Sequence, residues 1–246
     1  MAYIKNAPFR ADVVGSFLRP DVLKQARADF AAGVIDEAAL RAVEDEAIRD
    51  LVAKQKAAGL HVITDGEFRR SYWHLDFMWG LQGIERRTSR SGYQFHDEET
   101  TADTAVVTGK ISGENHPFVE HFKFVKALEE DGQVARQTMP APVQTYSEVV
   151  LDRCDGQQES LHAVYPTDEE LIADIAAAYR KAVQAFYDAG CRYLQFDDTS
   201  WGELCDPNKR AAYEARGFDL DKLERDYVNL INEALRDKPE DLAVTI

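Results

Sequence analysis

No stretch of the 246-residue chain is apolar for long enough to cross a membrane, and Met1 to Arg10 has no apolar core of the kind a signal peptide needs. Positive charge is scarce: 29 Lys and Arg stand against 44 Asp and Glu, a net charge of −15. That excess of acid argues against nucleic acid or an anionic membrane as partner. The three cysteines, Cys154, Cys191 and Cys205, are odd in number and lack any Cys-x-x-Cys spacing. They make no disulfide framework and fit a reducing, cytoplasmic setting. No glycine-rich phosphate fingerprint follows a predicted strand, and no repeat, low-complexity tract or linker divides the chain. What is left is ordinary globular composition, 45% hydrophobic and 30% charged, in a length that suits one large α/β domain or two modest ones.

Hydrophobic periodicity supplies the organisation. Ala11 to Val14 reads as a first short strand. Asp36 then caps a long helix carrying Leu40, Val43, Ala47, Ile48, Leu51 and Val52 at helical spacing, and Gly59 ends it just before a strand at His61. Further strands are predicted over 105–111, 134–139 and 193–198, with a last one beginning at Leu242. Thr167 and Glu170 form a capping box for a helix through Phe186, and another helix carries Leu220 to Ala234. Residues 71–103, aromatic-rich and then polar, read as an inserted hairpin or lid. Strand-helix units of this kind fit a TIM (β/α)8 barrel over 1–246 better than the runner-up, a doubly wound sheet.

Two of these strands end in acid. Tyr193-Leu194-Gln195-Phe196 runs into Asp197 and Asp198, and His61-Val62-Ile63-Thr64 runs into Asp65-Gly66-Glu67. Carboxylates delivered at the C-terminal ends of two buried strands predict one shared mouth that attracts a cation. Adjacent strand residues point to opposite faces, so of Asp197 and Asp198 only one serves that mouth, and the other caps the following turn or fixes its neighbours.

Three motifs in order, Val14-Gly15-Ser16-Phe17-Leu18-Arg19-Pro20, Thr64-Asp65-Gly66-Glu67-Phe68-Arg69-Arg70 and Gln195-Phe196-Asp197-Asp198, resemble the catalytic barrel of cobalamin-independent methionine synthase in its short, single-barrel form. The resemblance runs from about Arg10 to the last residue. It implies a methyltransferase that moves a methyl group from a folate-type donor to the thiol of homocysteine, with zinc holding the thiolate. By position, Ser16 would meet the amino acid's carboxylate through backbone N–H, while Glu67 and Asp197 would hold its ammonium. Asp198 stands where those enzymes usually carry Glu. Arg10 and Arg19 would meet acidic groups of a folate tail, or Arg19 would pair with a helix Asp. Trp73, Tyr146 or Trp201 would stack on a pterin face, or else pack in core or lid.

The family's zinc ligands, a His-x-Cys pair after the sixth strand and then a Glu and a Cys, are expected beyond Ile246. The barrel is therefore expected to be truncated after about six strands, with the substrate-recognition half present. On that expectation the chain alone carries no stoichiometric zinc at the mouth and is inactive. A set mixing Glu67, Asp197, Asp198 and His74 would be oxygen-rich and suit magnesium or calcium better. Open barrel edges predict a homodimer, recruitment of a missing C-terminal segment, or aggregation. Two alternatives stay open: a related barrel using another thiol or a corrinoid methyl donor, and a catalytically silent paralogue that binds an amino acid or folate.

Overall fold

Helix starts lie where the capping residues predict them. After α1 (Asp21–Ala31), the Asp36 carboxylate accepts from the Ala39 N–H at 2.8 Å and begins α2 (Glu37–Ala57). The Thr167 side chain accepts from the Glu170 N–H at the start of α7 (Asp168–Asp188), the second half of the predicted box being absent from that helix's described bonds. The computed structural model describes residues 13–95, 98–150 and 153–246. Between α2 and α7 come β1 (Val62–Ile63), α3 (Leu75–Gly80), β2 (Gln82–Thr88), β3 (Gln94–Phe95), β4 (Glu98–Glu99), β5 (Asp103–Ser112), α4 (Phe118–Lys126), β6 (Val134–Ala135), β7 (Gln137–Pro140), α5 (Pro142–Val150) and α6 (Gln157–Val164). After α7 follow β8 (Tyr193–Asp197), α8 (Ser200–Cys205), α9 (Pro207–Ala215), α10 (Leu220–Ala234) and β9 (Ala243–Thr245).

The parallel strands form two short sheets that share one stretch of chain. β1 pairs with β6, and β7, β8 and β9 pair in that order, all in parallel. Only Arg136 separates β6 from β7, and its N–H still donates to the Ile63 carbonyl at 3.0 Å. The acid-tipped strand β8 is thus the central strand of its sheet, buried on both faces as its unbroken apolar run requires. Because all of these strands run the same way, Thr64, Pro140 and Asp197 end on one side.

No closed barrel is formed among the described residues. Two expectations are corrected. Of the predicted first strand, Ala11 and Asp12 lie outside the described residues, and Val13 and Val14 are not in a strand. The strand predicted at 105–111 is real, but as β5 it pairs antiparallel with β2, not parallel with β6. A β-branched run such as Val106-Val107-Thr108 sets strand propensity and leaves the partner's direction open. Here the direction is set by the connection: residues 89–102 turn the chain back through the small β3–β4 hairpin, with no helical crossover of the kind a parallel pair needs. The segment predicted at 71–103 contains α3, β2, β3 and β4, and its pairing carries it on to Ser112.

Packing centres on α7. Its stripe of Leu171, Ile175, Tyr179, Ala182 and Phe186 is fully buried and meets α5, α10 and β5. Removal of Leu171, Ile175 and Phe186 from water contributes about 1.5–3 kcal/mol each. From the other side, α10 supplies Leu223, Tyr227, Leu230 and Ala234. Tyr179 of α7 meets Phe196 of β8 edge-on, ring centroids 6.2 Å apart, which packs this helix against the acid-tipped strand.

Candidate functional site

Where β1 stops, the backbone needs new partners. The buried Gln55 side chain provides them, its amide donating to the Thr64 carbonyl (2.9 Å) and its oxygen accepting the Thr64 N–H (3.0 Å). The chain then turns tightly. The Gly66 N–H donates to Thr64 Oγ1 (3.2 Å) and the Glu67 N–H to Asp65 Oδ1 (2.8 Å). Gly66 has φ +62°, and a Cβ there would lie 2.4 Å from Leu51 Cδ2, so the position requires glycine. Glu67 follows at φ +59°, a left-handed conformation that costs a non-glycine residue about 1–3 kcal/mol. Surrounding bonds hold it there: Arg19 Nη2 donates to the carbonyls of Glu67 (2.9 Å) and Arg70 (2.8 Å), and the Phe17 N–H to the Gly66 carbonyl (3.1 Å).

This turn aims the Glu67 carboxylate inward, with only 4% of the residue exposed. Arg70 lies 3.6 Å from Glu67 Oε1 and Thr138 Oγ1 3.5 Å from it. Arg70 is itself deeply buried; its Nη2 donates to Thr138 O (2.7 Å) and Oγ1 (2.9 Å), its Nη1 to the Trp73 carbonyl (3.3 Å), and it stacks over Phe118. Asp197 arrives from β8 with Gln195 beside it on the same strand face, Gln195 Nε2 donating to Asp197 Oδ1 at 2.5 Å.

Burial raises both carboxyl groups above their ordinary range. For Glu67, burial outweighs the cation of Arg70, and the charges of Asp65 and Asp197 push the same way. For Asp197, burial outweighs the Gln195 hydrogen bond and the cations of Arg70 and Arg136. Arg136, buried between β6 and β7, reaches back to the Val13 carbonyl and lies over the Tyr193 ring. A buried and a half-buried carboxyl group, both with raised proton affinity, make a setting that a cation would favour.

The remaining predicted residues have other placements. Asp198 faces away: its Oδ1 accepts from Ser200 N (2.8 Å), Ser200 Oγ (2.6 Å) and Gln144 Nε2 (3.2 Å), fixing the start of α8, while its buried Oδ2 has no partner. Half-buried Arg19 donates to backbone carbonyls, and no ion pair with a helix Asp is among its described contacts. Ser16 is exposed, next to the Phe17 that is pinned to Gly66. Trp73 is half-buried against the His74 ring, centroids 4.6 Å apart. Tyr146 is a core residue, edge-on to Tyr227, and Trp201 is half-buried against the same ring. Arg10 lies outside the described residues.

Among the described residues, no group of three or more His, Cys, Asp or Glu side chains is arranged to hold a metal ion. Glu67, Asp197, Asp198 and His74 do not gather into the oxygen-rich set that their types made conceivable. Cys154, before α6, and Cys191, between α7 and β8, are buried, and Cys205, at the end of α8, is exposed. The described residues therefore do not fit the zinc that the resemblance implies. Sequence reasoning missed Arg70, Thr138 and Gln195 as neighbours of the carboxylates. Glu67 to Arg70 and Gln195 to Asp197 were available as local spacings, whereas Thr138 enters only through the pairing of β7 with β8, and no sequence signal carries that.

A family model described as "Cobalamin-independent synthase, Catalytic domain" matches residues 9–222. Uncharacterized protein YxjH of Bacillus subtilis (strain 168) is 41% identical over 242 residues, covering 98% of this chain and 62% of that protein. A crystal structure from Listeria monocytogenes, provisionally assigned as a vitamin-B12 independent methionine synthase, is 42% identical with a TM-score of 0.76, over 97% of this chain and 64% of that one. Methionine synthase of Sulfolobus acidocaldarius is 25% identical over 186 residues, 76% of this chain and 50% of that protein. The chain thus spans less than two thirds of the length of these relatives. Its structural neighbours are α/β domains of the methionine-synthase TIM-barrel type. No helix of the described residues is long and apolar enough to cross a membrane.

Proposed function

The chain belongs to the cobalamin-independent synthase catalytic-domain family, and from that premise we propose that the ends of β1 and β8 form the amino-acid half of a methyl-transfer site. Glu67 and Asp197 hold the ammonium of a homocysteine-type amino thiol, whose sulfur receives a methyl group from a folate-type donor. The observation that carries this reading is the pair of carboxyl groups from two parallel strand ends, Glu67 buried and Asp197 half-buried, both with raised proton affinity. An ammonium between them supplies the charge that Arg70 alone does not, and each contact is a charge-assisted hydrogen bond.

Within this reading Ser16 and its neighbouring backbone N–H groups face the amino acid's carboxylate. Arg19 is a positioning residue, because its guanidinium fixes the left-handed turn at Glu67. Asp198 positions α8 and the Trp201 it carries, and Trp73 offers a flat face to the methyl donor. Bound zinc would supply a thiolate at neutral pH, where a free thiol near 8.5 is mostly protonated. Since the described residues do not fit that metal, activation of sulfur is not assigned to them.

The test compares two thiols by calorimetry, L-homocysteine and 4-mercaptobutanoate, which lacks only the amine. The proposed site prefers homocysteine by roughly tenfold or more. Equal affinities would remove the ammonium from the reading. The same preparation, given labelled 5-methyltetrahydrofolate, reports methyl transfer directly.

A further inference from the structure

His74 belongs to no part of the carboxylate pair, yet it is only 7% exposed and one of its ring nitrogens, Nδ1, is buried without a hydrogen-bond partner. The other nitrogen is firmly engaged. Nε2 lies 2.8 Å from the Tyr93 hydroxyl, which lies 2.8 Å from Glu148 Oε2. The direction of these bonds follows from the far end of the chain. Glu148 Oε1 accepts from Thr104 Oγ1 (2.5 Å) and from Arg153 Nη1 (3.0 Å), and arginine can only donate. The ion pair leaves the carboxylate an acceptor at Oε2 as well, so Tyr93 donates to Glu148. Burial, followed by the charge of Glu148, pushes the Tyr93 phenol far up, and its proton stays in place.

The Tyr93 oxygen must then accept from His74, which puts the imidazole proton on Nε2. Burial and the nearby Arg153 cation push His74 down to about 3, so at neutral pH the ring carries that one proton only. Nδ1 is left as a bare lone pair, locked in orientation by the four residues behind it, Tyr93, Glu148, Thr104 and Arg153. A buried acceptor with its geometry fixed and nothing to accept is rare in a folded protein, and calls for an occupant.

The surroundings say what kind. Trp73 packs on the His74 ring at 4.6 Å and 40°, and Tyr72 and Tyr93 meet it edge-on at 6.2 and 5.2 Å. Such walls favour a flat partner. Arg153, 3.9 Å above the Tyr93 ring, disfavours a second cation. The segment is also tied to the carboxylate site, because Arg70 bonds the Trp73 carbonyl with one nitrogen and Thr138 with another.

We propose that His74 Nδ1 accepts a hydrogen bond from an uncharged N–H donor on a planar, heteroaromatic ligand seated against Trp73. Resting on the methyl-transfer reading above, that ligand is the ring end of the methyl donor, and His74 is a specificity-determining residue distinct from the pair that holds the amino acid.

Asparagine and glutamine separate the two ring nitrogens. His74→Asn keeps an acceptor where Nδ1 lies and loses the bond to Tyr93; His74→Gln keeps a donor toward Tyr93 and loses the Nδ1 acceptor. With 5-methyltetrahydrofolate as probe, His74→Gln should weaken binding by roughly tenfold or more, and His74→Asn by less than about threefold. L-homocysteine should bind both variants as it binds the original protein. A purely structural His74 gives the opposite pattern: a lowered melting temperature in His74→Asn, and unchanged folate affinity in His74→Gln. Nitrogen NMR of His74 in the unaltered protein is independent of any variant's folding, and an Nδ1–H tautomer overturns the proposal. If homocysteine binds while 5-methyltetrahydrofolate does not, or binds His74→Gln equally well, the His74 assignment alone fails. If homocysteine also fails to bind the unaltered protein, the amino-acid site fails with it.

Discussion

Replacing Asp197 with Asn tests the carboxylate pair with almost no change of shape. Asn keeps an oxygen for the Gln195 Nε2 donor at 2.5 Å, so the strand end should hold its geometry. What is lost is one of two negative charges facing the ammonium. A hydrogen bond to a charged group contributes about 1.5–3 kcal/mol, which corresponds to roughly 10- to 150-fold in affinity. The lower part of that range is expected at neutral pH, since Asp197 is among the charges that raise Glu67, and removing it makes the remaining carboxylate easier to ionise. The pH profile should move accordingly. Homocysteine affinity in the original protein falls as pH drops through the raised Glu67 and Asp197 values, and in Asp197→Asn that fall is displaced to lower pH.

Stability has the opposite sign. Because the folded state raises both groups, it binds their protons more tightly than the unfolded chain does. That contribution is fully present below the unfolded carboxylate range and is lost as pH rises through the raised values. Asp197→Asn should therefore be at least as stable as the original protein at pH 7. The assay is calorimetric titration with L-homocysteine and 4-mercaptobutanoate from pH 5 to 8, beside thermal melts. Unchanged homocysteine affinity, or an equal loss for the amine-free thiol, would refute the assignment of Asp197 to the ammonium.

Arg70→Met should destabilise the fold by about 3–5 kcal/mol at pH 7, the range for stranding one member of a buried ion pair, and the loss should shrink in a Glu67→Gln background. Denaturant melts of the four proteins measure the coupling, and strictly additive losses would show that Arg70 serves only its carbonyl partners. Gly113→Ala should cost about 1–3 kcal/mol or more, since its Cβ would lie 2.0 Å from the Ala178 carbonyl oxygen, where α7 backs onto the end of β5 and neither backbone yields easily. A melt indistinguishable from the original would mean that α7 and β5 are not in that register.

Much of the site was legible before any coordinates. The apolar runs ending at Asp197 and Glu67 pointed to two strands with acid at their C-terminal tips, and alternation said that only one of Asp197 and Asp198 serves a given face, leaving open which. Helix starts at Asp36 and Thr167 were readable because a cap is a contact between residues three apart. Motif order was enough to identify the family. These are all local properties, or properties of order along the chain.

Tertiary structure decided the rest. Strand propensity at 105–111 does not say which neighbour a strand takes, and only the hairpin before it made β5 antiparallel to β2. Arg19, which the resemblance set toward a folate tail, clamps two carbonyls about fifty residues away, which no spacing encodes. The raised proton affinities of Glu67 and Asp197 depend on burial and, for Glu67, on the charges of Asp65 and Asp197, all set by how β1, β7 and β8 lie together. The tautomer of His74 is fixed through Tyr93, Glu148, Arg153 and Thr104, residues that meet only when α5 packs against β5 and the inserted segment. Sequence determines what a residue can do chemically. Distance and dielectric, which exist only after folding, decide which of those capacities the protein uses.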